Sequence, residues 1–276
     1  ETRSFTEQLA AERGLTLVHP FNDPRIIAGQ GTVGLEVIDA LNEIDSIVIP
    51  VGGGGLISGA AVAIKGLAPS IEVVGVQVER YAAVVQSFYD LPNTEMEPGT
   101  VAEGIAVKSP GSLTWPLIQE NVDRMLKVSE EQIEQAVFDL LEIEKTVVEG
   151  AGAAGLAALF AHPSLFQGKR VAVLLSGGNI DMMILSSILQ RGLVRSHRLV
   201  RLDVEIRDMP GALAELTQML GELDSNIVEI QHQRTFGGSS VRATLVQLVL
   251  QMRGEEQIER VAAALKEKGY QSRLVA

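Results

Sequence analysis

Apolar residues follow two different rhythms along this chain. Before residue 190 they gather in short, nearly unbroken runs separated by stretches with helical spacing. Ser46 to Val51 (Ser-Ile-Val-Ile-Pro-Val) is such a run, and Ile71 to Val78 is another, reached through a turn at Pro69-Ser70. Runs of this kind suit strands buried on both faces of a parallel sheet. Between them, Leu56 to Leu67 is rich in Ala and Ile and reads as a helix. A right-handed parallel crossover is the simplest closure of this strand–helix–strand unit. Upstream, Ser4 to Arg13 reads as a helix stopped by Gly14, Leu15 to Val18 as a short strand, and Gly31 to Leu41 as a helix. Downstream, Ser129 opens a helix over Glu130 to Leu141, with Glu131 and Gln132 in its first turn. A small-residue helix over Gly152 to Ala161, a buried strand over Arg170 to Leu175 and a helix over Ile180 to Gln190 follow.

Past Gln190 the rhythm changes to alternation. Leu202, Val204 and Ile206 interleave with Arg201, Asp203 and Glu205, the pattern of a half-exposed strand. After a turn at Asp208-Met209-Pro210-Gly211 comes an amphipathic helix over Ala212 to Leu223. Ile227 to Gln233 and Arg242 to Met252 read as strands joined through Phe236-Gly237-Gly238-Ser239, Glu255 to Lys268 as a helix, and Tyr270 to Val275 as a last strand. The order βαββαβ predicts a compact α+β unit of ferredoxin-like type. The boundary falls near 191–198, with the basic stretch Arg191 to Arg201 read as a solvated linker. The expected organisation is therefore an α/β portion over 1–190 and a second domain over 198–276.

Charge and composition narrow the partners. A formal net charge of −12, with no basic stripe, argues against nucleic acid, whose binding releases counterions onto clustered Lys and Arg. The absence of cysteine excludes disulfides, thiolate nucleophiles and cysteine zinc sites, and fits a cytoplasmic protein. No apolar run is long enough for a membrane span, and the N-terminus is charged rather than signal-like. A start at Glu1 rather than Met suggests a natural sequence that begins earlier.

The sharpest chemical feature is Gly52-Gly53-Gly54-Gly55, directly after a buried strand and before a helix. Consecutive glycines let peptide N–H groups turn toward an anion with no Cβ in the way, so a Cβ at Gly53 should intrude on the anion. The following helix adds the positive end of its dipole. No Gly-Lys-Ser/Thr follows, so this is not a P-loop, and the third glycine of a dinucleotide fingerprint falls on Ile57 or Ser58. A tight strand-to-helix turn without a ligand is the plain alternative. Ser176-Gly177-Gly178-Asn179 also follows a strand and makes a second wall of the expected pocket.

With these loops in place the sequence resembles a known family, the type II pyridoxal-phosphate enzymes, and within it the threonine ammonia-lyases (threonine dehydratases) with a C-terminal ACT domain. The segments that carry the resemblance are His19-Pro20-Phe21-Asn22-Asp23-Pro24, Ile27-Ala28-Gly29-Gln30-Gly31-Thr32, Pro50 to Leu56, Ala102-Glu103-Gly104-Ile105-Ala106-Val107, Glu149-Gly150-Ala151-Gly152-Ala153 and Ser176 to Asp181. The resemblance implies a tryptophan-synthase-β-like fold with pyridoxal 5'-phosphate as cofactor. Gly52, Gly53, Gly54, Gly55 and Leu56 would hold its phosphate, Ser176 would face the pyridine nitrogen, and Gly104 and Glu149 would lie near the ring. A hydroxyl partner does not force that nitrogen to be protonated, which suits loss of a β-hydroxyl over transamination. The implied reaction is conversion of L-threonine, with L-serine beside it, to the 2-oxo acid and ammonia. The second domain would be an ACT-like module for an amino-acid effector bound near Asp208, Pro210 and Gly211, with Asn226 contributing.

The family's Schiff-base lysine stands in a Ser-x-Lys-x-Arg-Gly-type motif, and none of the seven lysines here (Lys65, Lys108, Lys127, Lys145, Lys169, Lys266 and Lys268) has that context. No catalytic residue is therefore assigned. Lys108 follows the Glu103–Val107 segment but reads as a surface lysine. The chain is accordingly expected to match only the C-terminal part of the family, without its small domain and first strands. An edge left uncovered by missing strands would favour homo-oligomers. A non-catalytic amino-acid-binding or oligomerising module with a vestigial phosphate loop is the rival reading. No metal site is expected: Glu79 has no second carboxylate nearby, and the four histidines lack zinc-ligand spacing. No Gly-x-Ser-x-Gly elbow supports a serine hydrolase.

Overall fold

A computed structural model describes residues 2–41, 43–92, 99–233 and 241–275. The chain divides into two compact units, Glu1–Ile184 and Leu185–Ala276.

Unit 1 runs α1 (Thr2–Arg13), α2 (Pro24–Ala40), β1 (Ser46–Pro50), α3 (Gly55–Leu67), β2 (Glu72–Val78), α4 (Ala83–Phe88), α5 (Thr114–Asn121), β3 (Arg124–Val128), α6 (Glu130–Glu142), α7 (Gly150–Ala161), α8 (Pro163–Phe166) and β4 (Val171–Val173). The four strands form a parallel sheet of order β3-β2-β1-β4. Central β1 is buried along its whole length, as its unbroken apolar run predicts. Ile47, Ile49, Ile57, Ile64 and Val73, all fully buried, form the core between this sheet and α3.

Four expectations for this unit need correction. Leu15 to Val18 is not a strand: it pairs with no other segment among the described residues, and Leu15 and Val18 are 60% and 65% exposed. The helix expected from Gly31 starts seven residues earlier, because Asp23 caps it and Pro24 presets its first turn. The strand over Arg170 to Leu175 shrinks to three half-buried residues, since β4 is an edge strand paired only with β1 among the described residues. Helix α9 (Met182–Arg195), which contains the division between the units, extends five residues beyond Gln190, and the next strand begins at Leu199. The supposed linker over 191–201 is thus mostly helix and strand.

Unit 2 continues with β5 (Leu199–Arg207), α10 (Ala212–Glu222), β6 (Asn226–Gln233), β7 (Ala243–Gln251), α11 (Glu255–Glu267) and β8 (Gln271–Val275). Its antiparallel sheet has the order β6-β7-β5-β8, the arrangement of a split βαβ fold. The alternating strand residues Leu202, Val204, Val246, Leu248 and Leu250 meet Leu216, Leu220, Val261 and Leu265 of the helices in its core. The expected Phe236–Ser239 connection lies outside the described residues.

The N-terminal edge of the parallel sheet is laced by charges. Glu72 at the start of β2 accepts from Lys169 Nζ at 2.8 Å and Arg124 Nε at 3.2 Å. Partial burial pushes the Glu72 carboxyl up, but the hydrogen bonds and charges of Lys169 and Arg124 outweigh it and hold the group below its ordinary value. Asp45 accepts from the Arg170 backbone N–H at 2.7 Å, which holds its carboxyl below the ordinary value. The opposite edge, where the strands end, is free for chemistry.

Candidate functional site

Because β1 and β4 are parallel neighbours, the loops that follow them, Gly52–Gly55 and Ser176–Asn179, emerge at the same carboxyl edge of the sheet. Ligands of open α/β sheets collect at this edge. A cleft of about 300 Å³ opens there, lined by Pro20, Phe21, Pro50, Gly52 to Ile57, Gly104, Ile105, Val107, Glu149, Ala151 and Ser176. All eight residues assigned to the cofactor from sequence (Gly52, Gly53, Gly54, Gly55, Leu56, Gly104, Glu149 and Ser176) lie on its wall. No lysine does, and Lys108 is exposed.

The glycine loop ends where α3 begins. Gly54 is the N-cap of that helix, at φ +95, and no side chain caps its first N–H groups. Only glycine takes this φ without strain. The uncapped N–H groups and the positive end of a 13-residue helix therefore face a concave space, an arrangement suited to a phosphate.

The expectation that a Cβ at Gly53 would reach the anion is not met. It would instead run into the Phe21 ring, at 2.5 Å from Cδ1 and closer still to Cε2 and Cζ. A Cβ on Gly55 would meet Phe21 Cα at 2.9 Å. Phe21 thus fills the space that two of the glycines vacate. Its turn is fixed by His19, whose Nδ1 accepts from the N–H groups of Phe21 (3.2 Å) and Asn22 (2.8 Å). The His19 and Phe21 rings meet edge-to-face at 4.7 Å.

The opposite wall is organised by Glu149. Its backbone N–H donates to Gly177 O at 3.0 Å, tying the head of α7 to the loop after β4. Its carboxylate lies between two glycines: a Cβ at Gly177 would stand 2.7 Å from Glu149 Oε1, and one at Gly104 would stand 3.3 Å from it. Glu149, Gly104 and the Ser176 loop therefore form one packed wall.

Two buried polar residues hold the glycine loop from behind, and motif reading missed both. Thr114, fully buried at the start of α5, donates from Oγ1 to Gly53 O at 2.7 Å and accepts from Gly111 N at 2.9 Å. Gln77, fully buried near the end of β2, donates to Val51 O at 3.2 Å and accepts from Val84 N and Val85 N at 2.9 and 3.0 Å. Gln77 has a sequence signal, being the one polar residue in Val73 to Val78, whereas Thr114 has none. A larger hollow of about 610 Å³ between α2, α3 and residues 112–117 is almost wholly apolar and offers an anion little, so the smaller polar cleft is the better candidate for an anionic ligand.

The four residues expected from sequence at an effector, Asp208, Pro210, Gly211 and Asn226, lie in unit 2. Gly211, at φ +92, is the N-cap of α10 and has no side-chain cap, and Asp208 N donates to Arg242 O at 2.9 Å. Asn226 is not beside them. It pairs with Gln251, which faces Leu199 at the start of β5, whereas Asp208, Pro210 and Gly211 follow the end of β5. Among the described residues no group of His, Asp or Glu side chains is arranged to hold a metal, and no helix is long and apolar enough to cross a membrane.

A parallel sheet whose carboxyl edge presents an uncapped helix start, a glycine loop and Ser176 on the same cleft suits a phosphate-ester cofactor. The chain belongs to the pyridoxal-phosphate dependent enzyme family, whose model matches residues 1–177, and its cofactor is pyridoxal phosphate. The match begins at residue 1, which overturns the expectation that only the C-terminal part of the family is represented. The chain is 42% identical over 270 residues to an L-threonine ammonia-lyase of Thermotoga maritima, covering 97% of this chain and 67% of that protein. It is 44% identical over 279 residues to an L-threonine ammonia-lyase of Geobacter sulfurreducens, covering 97% and 68%. Among solved structures, a T.th. threonine deaminase superposes with a TM-score of 0.61 at 39% identity, covering 65% of this chain and 60% of that one. Serine racemase from Dictyostelium discoideum gives 0.59 at 35%, covering 65% and 59%. The chain thus spans about two thirds of these two curated relatives and about 60% of these solved chains.

Proposed function

We propose that the cleft is the cofactor site of a threonine ammonia-lyase, acting on L-threonine and L-serine to give the 2-oxo acid and ammonia. The observation that carries this reading is the convergence of Gly52–Gly55, Gly104, Glu149 and Ser176 on one cleft. The residues fit the group. The helix start and glycine N–H groups suit a phosphate dianion, and the Ser176 hydroxyl can donate to a neutral ring nitrogen or accept from a protonated one. When bound, pyridoxal phosphate supplies the electron sink that makes the substrate's α-proton removable. The chain's own groups orient that ring. Gly104 and Glu149 line the cleft together with Pro20 and Phe21 beside the glycine loop.

No lysine lines the cleft, so in this chain the cofactor is held without a covalent bond and no amine is placed to take the α-proton. By this reading the chain alone binds pyridoxal phosphate but does not deaminate threonine. To test it, the purified chain is given the cofactor, treated with borohydride and assayed for ammonia release from threonine. Binding without fixation and without ammonia is expected; fixation with turnover would refute it. Failure to bind the cofactor at all would favour the rival reading, a non-catalytic amino-acid-binding or oligomerising module, which the missing lysine also suits.

For unit 2 we infer an ACT-like effector module, assembled as a homo-oligomer, with Asp208, Pro210 and Gly211 at the ligand. Its βαββαβ order and the uncapped start of α10 after a short turn support this. Because Asn226 stands at the other end of the sheet, it reaches such a ligand only from a second copy. Titration with isoleucine and valine should raise the melting temperature, and no shift with either would count against effector binding.

A further inference from the structure

We propose that Thr114 is a positioning residue that aims the peptide N–H of Gly54 at the cofactor phosphate. This rests on the reading of the cleft as the phosphate end of a pyridoxal-phosphate site. Thr114 does not line that cleft; it acts through the backbone of the loop. Its Oγ1 donates to Gly53 O at 2.7 Å, and Gly111 N donates to the same carbonyl at 3.2 Å. In a planar trans peptide the N–H points away from the C=O. Pinning Gly53 O toward Thr114 therefore turns the Gly54 N–H the opposite way, away from α5.

The pin is itself immobile. Thr114 is fully buried, its Oγ1 accepts from Gly111 N at 2.9 Å, and its carbonyl accepts from the buried Ser58 hydroxyl of α3 at 3.2 Å. Gly54 is at φ +95, and glycine adopts positive and negative φ about equally readily, so contacts around the loop must select one. Gln77 does the corresponding job earlier in the loop on Val51 O, but at 3.2 Å it is the longer of the two bonds. An N–H donor fixed before the ligand arrives loses no orientational freedom on binding.

The test compares pyridoxal phosphate with pyridoxal, which lacks the phosphate, by calorimetry on the full chain. The unaltered protein should prefer the phosphorylated compound. Thr114→Val should weaken pyridoxal phosphate about tenfold, the scale of one charge-assisted hydrogen bond (~1.4 kcal/mol), and leave pyridoxal unchanged. Thr114→Ser should restore the preference. A general loss of stability would weaken both compounds alike, so an unchanged ratio in Thr114→Val overturns the positioning role. If the unaltered protein shows no preference, the phosphate reading of the cleft fails and the positioning role with it. Should Thr114→Val not fold, the unaltered chain labelled with 15N-glycine is titrated with inorganic phosphate. The Gly54 amide proton should move downfield, and a Gly54 signal that stays still while its neighbours shift would overturn the proposal.

Discussion

Replacing Gly53 by alanine places a methyl group inside the Phe21 ring, 2.5 Å from Cδ1, where real Cβ contacts do not come closer than 3.0 Å. The ring has little freedom to yield. Its backbone N–H is held by His19, its Cα lies against Gly55, and its edge packs on the His19 ring at 4.7 Å. Overpacking of this kind costs about 1–3 kcal/mol, and expelling the ring forfeits an aromatic pair of about 0.5–1.5 kcal/mol more, so Gly53→Ala should destabilise unit 1 by roughly 2–3 kcal/mol. In a Phe21→Ala background the three atoms nearest the new methyl are gone. Gly53 does not have a positive φ, so there the alanine should be neutral or stabilise by about 0.4–1 kcal/mol through the unfolded chain.

The two single variants and the double variant therefore define a cycle with a coupling of about 2 kcal/mol, well beyond the few tenths expected of independent sites. Urea unfolding followed by Trp115 fluorescence reads it. Trp115, next to Thr114 in α5, is the only tryptophan, so the signal reports unit 1. If the two substitutions add to within about 0.5 kcal/mol, Phe21 is not what makes Gly53 obligatory, and the packing argument is wrong.

Three further outcomes follow from the same geometry. Ser129→Ala removes one half of the capping box of α6, where Ser129 Oγ accepts from Gln132 N at 3.2 Å, and should cost about 1 kcal/mol in a urea titration. Glu72→Gln should cost up to about 1 kcal/mol at neutral pH, since the paired groups are partly solvated. Because the Glu72 carboxyl is held below its ordinary value in the folded state, its contribution is present above the ordinary carboxylate range and fades as pH falls through the lower folded value; variant and wild type should converge in acid. Ser176→Ala should weaken pyridoxal phosphate about tenfold yet leave inorganic phosphate unaffected, because Ser176 belongs to the loop after β4 and not to the glycine loop at the start of α3.

Buried strands were readable where burial on both faces left no polar residue, as in Ile47 to Pro50. Arg124 to Val128 was missed because a short strand with Arg124 and Lys127 in it gives neither an apolar run nor strict alternation. Leu15 to Val18 was misread for the converse reason: its residues suit a strand, but a strand exists only with a partner, and none lies beside it among the described residues. Arg191 to Arg195 looked like linker because charge was weighed over spacing, although Ile188 and Gly192, one helical turn apart, are both buried. The glycine loop and the Ser176 loop on the cleft wall were legible because each follows an apolar strand run, whereas Leu56, Gly104 and Glu149 came only through the family resemblance. Thr114 was not legible, since its importance comes from a bond to a residue 61 positions away.

That contrast bears on why four glycines stand together. Open access for a ligand would explain glycine at any of them, but the structure gives three of the four a cause in packing or backbone conformation. Gly53 and Gly55 are glycine because Phe21 occupies their side-chain space, and Gly54 because its φ is +95. Gly52 is the least constrained sterically, with its nearest neighbours at 3.2 Å. Packing behind the loop thus dictates most of the glycines, and the phosphate cradle is what remains on the other side. The loop would keep this shape with no ligand present, so the glycines by themselves argue for a rigid turn. It is their conjunction with an uncapped helix start, and with Gly104, Glu149 and Ser176 across the cleft, that argues for a cofactor.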